Sequence, residues 1–159
     1  MKPGVRFYAK LARVINFVGH PIKMMALHNS KRTRVIICTD ESILLQRTSV
    51  GSQQWNLPGG GIKSGESAVA AAIREVAEEV GITLLPAQLR EVGSYMKRRY
   101  GELIRYKLIF LVVEIDTEVN PNISRPLEIL EAKWFKKTNL PNNLSKTVVI
   151  GLNKLTRHP

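Results

Sequence analysis

Acid is scarce in this chain: 13 Asp and Glu stand against 24 Lys and Arg in 159 residues, a formal net charge of +11. None of the acids precedes Asp40, whereas Lys2, Arg6, Lys10, Arg13, Lys23, Lys31, Arg32 and Arg34 all do. The start of the chain is therefore a cationic arm. Cysteine is almost missing. Cys38 is the single one, which excludes an internal disulfide and suits a reducing compartment; set in an apolar run, it reads as a small buried hydrophobe. Long apolar runs are missing from MKPGVRFYAKLARVINFVGH, where Arg6, Lys10 and Arg13 interrupt them. A membrane span needs about 20 predominantly apolar residues, and a secretory leader an apolar core with a small-residue cleavage site. Neither pattern is met, so a cytoplasmic protein with no transmembrane segment is expected. Internal repeats and low-complexity linkers are missing too, and a chain of this length, 44% hydrophobic and 23% charged, accommodates one globular domain and no second.

What is present divides into an arm and a domain. In residues 5–19, Tyr8, Leu11, Val14, Ile15 and Val18 recur at helical spacing, which predicts a short amphipathic helix ended by Pro21. Residues 1–30 are read as a basic N-terminal arm and 31–159 as the folded domain. There, TRVIICT and ILLQRT form a hairpin around the polar DES, and WNLPGGGI is too glycine-rich for a regular element. ESAVAAAIREVAEEV is a strong helix stopped by Gly81. REVGSYM and ELIRYKLIFLVVEI are strands about a turn near Gly101, DTEVNPNISRP is a loop, EAKWF a further strand, and SKTVVIGLNKL a closing helix capped by Ser145. Strands on both sides of a central helix, with another helix at the end, indicate a mixed α/β domain with helices covering a sheet.

The scarce acid is concentrated on that central helix. Residues three and four apart share a helix face, so Glu75, Glu78 and Glu79 project together. Val69, Ile73, Val76 and Val80 fall on or near the opposite, core-facing stripe. Like charges at this spacing repel by a few tenths of a kcal/mol per pair when exposed and by more when desolvated. A hard divalent cation relieves that repulsion, and magnesium in particular takes a few carboxylates together with substrate phosphates. Ala68, Ala71 and Ala72 are read as leaving room for such a group, and Gly59, Gly60 and Gly61 as letting the backbone approach a ligand closely. A solvated helix face explains the same glutamates in isolation.

The spacing decides between these readings. Gly60, five residues, Glu66, seven residues, then Arg74, Glu75, Val76, Ala77, Glu78, Glu79, Val80, Gly81 and Ile82 match every specified position of the 23-residue signature of the Nudix (MutT-related) hydrolases. The resemblance extends more loosely over most of residues 33–140. It implies a Nudix-type α/β/α sandwich with a mixed central sheet and an enzyme that hydrolyses a nucleoside diphosphate linked to another group. By the same resemblance Glu75, Glu79 and Glu78 match the metal-binding glutamates for Mg²⁺ or Mn²⁺, and the carbonyl of Gly59 a main-chain ligand. Arg74 and Glu66 match a supporting salt bridge. In MutT-like members an acid in a loop ahead of a Trp-bearing strand serves as base; Glu128, six residues before Trp134, holds that place, with Glu131 in reserve. Arg47, at a strand end, is a candidate for a substrate phosphate.

Substrate choice is less legible. Tyr100, 18 residues beyond Ile82, matches a substrate-binding tyrosine of dinucleoside-polyphosphate hydrolases, while Lys97 and Arg98 stand where ADP-ribose hydrolases carry a proline. A small nucleotide, foremost a nucleoside triphosphate, is the expected substrate. Dinucleoside polyphosphates, sugar nucleotides and ADP-ribose come next. Lys97, Arg98, Arg99, Arg105 and Lys107 interleave with Tyr95, Tyr100 and Tyr106, a composition that suits single-stranded nucleic acid, a phosphate-rich ligand or a solvated hairpin face. An RNA-end hydrolase and a catalytically silent nucleotide-binding module stay open, nucleic acid being the less favoured partner, and a homodimer is admitted.

Overall fold

A computed structural model describes residues 28–49, 53–99 and 103–157. The expected helix at 5–19, nearly all of the basic arm, and Tyr100 lie outside the described residues.

The apolar runs fold as strands buried on both faces. β1 (Lys31–Cys38) and β2 (Ser42–Thr48) flank the DES turn. Because neighbouring side chains on a strand point to opposite faces, Val35, Ile37 and Leu44 join one core, and Ile36, Cys38, Ile43 and Leu45 join the other. β4 (Arg90–Arg99) and β5 (Ile104–Glu114) form the second hairpin. β5 pairs in parallel with β1 from Lys31↔Lys107 to Cys38↔Glu114 and antiparallel with β4. β6 (Ile129–Lys136) runs antiparallel to β2. The sheet is mixed, as expected.

α1 (Ala68–Val80) begins at Ser67, whose hydroxyl accepts from the Ala70 N–H at 3.0 Å, and ends at Gly81 in the left-handed conformation, φ 70°. α2 (Lys146–Leu155) is capped by Ser145. α1 covers the core of Val35, Ile37 and Leu111, and Val148 of α2 closes the core of Ile36, Leu57 and Phe110. The α/β/α layering is therefore observed. Among the described residues no helix is long and apolar enough to cross a membrane.

Two elements depart from the sequence reading. WNLPGGGI does contain a strand, β3 (Trp55–Asn56), because Gln46↔Asn56 and Arg47↔Trp55 pair it to β2. A 3₁₀ turn at Pro86–Gln88 follows α1. The departure at β3 creates the site. β1 pairs with β2 only at Cys38↔Ile43, and β3 takes the same edge of β2 further along. The backbone then crosses to β1, where Val35 N–H donates to Pro58 O at 2.9 Å, Thr33 N–H to Gly60 O at 2.8 Å and Ile62 N–H to Lys31 O at 3.0 Å. The glycine loop thus fills the gap left where β1 and β2 diverge.

Candidate active site

The loop and α1 face each other, and glycine makes their contact feasible. Gly59 has φ +126°, a conformation closed to most side chains, and a Cβ there would lie 2.6 Å from Thr33 O. Its N–H donates to Glu79 Oε2 at 2.7 Å, and the same oxygen accepts from Gln46 Nε2 at 2.7 Å. Glu79 is only 8% exposed. Burial pushes its pKa up, opposed by the Gly59 N–H, the Arg34 charge and the Gln46 bond. Glu75 is equally buried, so two of the three carboxylates lie beneath the loop rather than on a solvated face.

The alanines have a different role from the one expected. Ala71 and Ala72 are fully buried, and Ala72 packs in the α1 core with Val76 and Val80; small side chains here admit the sheet, not a ligand. Val69 and Ile73, read as core-facing, are only partly buried at its margin.

Arg74 bridges loop and helix. Its Nε and Nη2 donate to the two oxygens of Glu66 at 2.9 and 3.0 Å, and Nη2 also donates to Gly61 O at 2.9 Å. Nη1 reaches Glu75 at 2.8 Å and Glu78 at 3.4 Å. The Arg74 bonds, together with the Lys63 N–H, hold the Glu66 carboxyl down to about 2. The bond to Glu66 in turn raises the Arg74 pKa against its partial burial. The Glu66–Arg74 pair thus exists as the resemblance implied.

Three arginines have partners that the sequence reading did not foresee. Arg34 donates to Gly59 O and, at 2.8 Å, to Thr33 O; burial and then the neighbouring Arg32 lower its pKa. The Gly59 carbonyl is therefore already engaged by a guanidinium, through one of its two lone pairs. Arg125, in the loop ahead of β6, pairs with Glu78 and stands 3.8 Å from Glu75 and 3.5 Å from Glu128. Arg47 is paired with Glu131 and lies with its guanidinium 4.8 Å over the Trp55 ring. Alternation on β1 signals Arg34 only once the partner loop is known, and Arg125 stands 47 residues from Glu78.

A pocket of about 260 Å³ opens beside Glu79, lined among others by Arg32, Arg34, Gln46, Asn56, Gly59 and Glu128. Gln46 Oε1 and Arg34 Nε are buried there with no hydrogen-bond partner, so the walls present an unused acceptor and an unused donor. Glu128 lines the same pocket and its side chain is 59% exposed. Glu131 instead is tied to Arg47 and Lys133. Burial works to raise its pKa, but those two bonds outweigh it and hold the group below the usual carboxylate range. Arg47 is not among the pocket-lining residues.

Among the described residues no three His, Cys, Asp or Glu side chains converge on one point; Glu79 is committed to the loop, and Glu75 and Glu78 share two arginines. The donor set nevertheless fits a hard divalent cation: every candidate ligand atom is oxygen, and repulsion among the carboxylates is offset by cations that can be exchanged.

The comparisons with known proteins agree with this geometry. The NUDIX domain family matches residues 29–157. The human protein called 8-oxo-dGDP phosphatase NUDT18 is 32% identical over 130 residues, covering 76% of this chain and 38% of that protein. The uncharacterized Nudix hydrolase YvcI of Bacillus subtilis is 32% identical over 111 residues, covering 69% of this chain and 68% of that one. The chain spans under two fifths of the length of the human relative and of a plant relative. The crystal structure of a MutT Nudix hydrolase from Burkholderia pseudomallei superposes with a TM-score of 0.72 at 22% identity, covering 80% of this chain and 98% of that one. With the full signature at Gly60–Ile82, a glycine loop bonded to its glutamates and a family match over most of its length, the chain belongs to the Nudix hydrolase family.

Proposed function

We propose that the chain hydrolyses a pyrophosphate bond in a nucleoside diphosphate linked to another group, with nucleoside triphosphates the leading class. The observation that carries this reading is the burial of Glu79 beneath Gly59 at the wall of a pocket that also holds Arg32 and Arg34. A buried acid beside two partly buried arginines in one small pocket suits a ligand that brings both a cation and phosphates.

Glu75, Glu78, Glu79 and the Gly59 carbonyl would hold Mg²⁺ or Mn²⁺. When bound, such an ion supplies Lewis-acid polarisation of phosphate oxygens and lowers the pKa of an attacking water. The remaining work falls to the chain. Arg32 and Arg34 offset phosphate charge from the pocket wall. Arg74, clamped by Glu66, fixes the loop against α1. Glu128, exposed at the pocket, accepts the proton from water as general base; Glu131 is unsuited because Arg47 and Lys133 occupy its two oxygens and lower its basicity. Arg47 supports Trp55 and Glu131 rather than substrate.

The relatives' names differ in substrate: 8-oxo-dGDP, diphosphoinositol polyphosphate and, for a solved structure, Ap4A. The choice here is therefore made by experiment. A panel of nucleoside triphosphates, dinucleoside polyphosphates, sugar nucleotides and ADP-ribose is incubated with Mg²⁺ or Mn²⁺, and phosphate and pyrophosphate release are read. Metal-dependent release of pyrophosphate from a triphosphate supports the leading class; preferred cleavage of another member replaces it.

One observation favours RNA ends as a second reading. The β4–β5 register sets Arg98 opposite Arg105, which gathers positive charge on this hairpin, and clustered Lys and Arg attract a polyanion. Binding of a 5′-triphosphate RNA that weakens steeply with salt supports it; a slope no steeper than that of a mononucleotide rejects it.

A further inference from the structure

Two guanidiniums neutralise the acidic cluster, and they are held differently. Arg74 has anchors of its own, the bidentate pair with Glu66 and the bond to Gly61 O. Among the described residues Arg125 has none beyond the cluster except Glu128, three residues along and 3.5 Å away. Its backbone is fixed: Arg125 O accepts from Glu128 N–H at 2.9 Å and Ile129 N–H at 2.8 Å, and Glu128 O accepts from Ser49 N–H at 2.8 Å. Only the side chain is free to move. It is 37% exposed and lies on Glu78, itself 33% exposed, where water screens and exchanges an ion pair readily. Glu78 cannot give the same oxygen lone pairs fully to Arg125 and to a metal.

We propose that Arg125 is a displaceable counter-cation of the acidic cluster. It occupies Glu78 and approaches Glu75 in the metal-free protein, opposes entry of a divalent cation there, and so sets the metal concentration at which the cluster fills. Arg74 remains in place throughout because Glu66 and Gly61 hold it. This rests on the reading of Glu75, Glu78 and Glu79 as metal ligands.

The test needs no substrate. Mn²⁺ affinity is measured by calorimetry and by the spin resonance of free Mn²⁺ on metal-free wild type, R125Q, R125K and the control K136Q, whose lysine pairs with Glu41. R125Q is expected to bind Mn²⁺ about three- to tenfold more tightly, the scale of a unit charge acting on a dication about 6–10 Å away through water-like screening. R125K and K136Q stay within about twofold of wild type. In wild type, the Nε resonance of Arg125 shifts with the same Mg²⁺ midpoint as metal binding while that of Arg74 keeps its bonded position. Unchanged or weaker Mn²⁺ binding by a folded R125Q overturns the proposal, as does an equal gain in K136Q or an Arg125 resonance indifferent to Mg²⁺. If wild type binds no Mn²⁺, the ligand assignment falls together with it.

Discussion

Gly60 and Glu75 compete for one volume: a Cβ on Gly60 would lie 2.3 Å from Cδ and 2.4 Å from Oε1 of Glu75. The two segments meet this closely because Thr33 N–H holds the Gly60 carbonyl against β1 while Val76, next to Glu75, is locked in the core. Neither backbone can yield cheaply.

Gly60→Ala should therefore expel the Glu75 carboxylate, weakening Mn²⁺ binding and lowering kcat/KM by about tenfold or more, the scale of about 1.4 kcal/mol. Gly61→Ala, whose Cβ would meet only Arg32 at 3.7 Å, should change either by less than about twofold. Equal behaviour of the two variants in a calorimetric titration would refute the steric account.

Glu66 carries a pH signature. Its folded pKa of about 2 lies below the ordinary value of about 4.3, so its contribution to stability is present above that ordinary value and is lost as pH falls toward 2. Wild type should melt above Glu66→Gln at pH 7, with the gap closing progressively between about pH 4.5 and 2. Melting curves across that range decide; a gap independent of pH means the Arg74 bond is not its source.

Glu128→Gln keeps volume and removes the carboxylate proposed as proton acceptor at the pocket. Its kcat should fall by about 10² or more with Mn²⁺ affinity nearly unchanged. A normal rate would leave the metal-bound water to act without this base.

Residues 28–30 are tied to β5: His28 Nδ1 lies 3.0 Å from Leu103 O, Asn29 N–H donates to Arg105 O at 2.8 Å, and Ser30 O accepts from Lys107 N–H at 3.0 Å. A truncation meant to leave the domain intact should end at residue 27. That variant should retain small-nucleotide hydrolysis within about threefold, since every residue assigned to chemistry lies beyond it, and lose polyanion binding in a salt-dependent manner. Loss of hydrolysis in a folded truncation would place part of the site in the arm.

What the sequence disclosed, and what it withheld, follows from the range of the interactions. α1 was legible with its C-terminal stop because Gly81 and the 3.6-residue repeat act within a turn or two; its start was read at Glu66, two residues ahead of Ala68, because the Ser67 cap was not singled out. The Glu66–Arg74 pair was legible through the spacing that defines the family. The burial of Glu75 and Glu79 was not, since it depends on where the glycine loop lies against β1. Arg34, Gln46 and Arg125 reach the site across 25, 33 and 47 residues, with no local pattern to announce them. The pairing of Arg47 with Glu131 was hidden for the same reason, since the two stand 84 residues apart.

Glu79, the carboxylate buried at the pocket wall, is the proposed metal ligand on which hydrolysis depends most directly. The most direct measurement is metal-dependent turnover of the best substrate by wild type and Glu79→Gln in parallel, with the metal-free fold of both checked by circular dichroism. Wild type is expected to hydrolyse it only when Mg²⁺ or Mn²⁺ is added, and a fully folded Glu79→Gln to lose at least about 10³-fold, a role for Glu79 as metal ligand being the assignment at stake. Near-normal turnover by that variant, or wild-type turnover that persists in excess chelator, would contradict it.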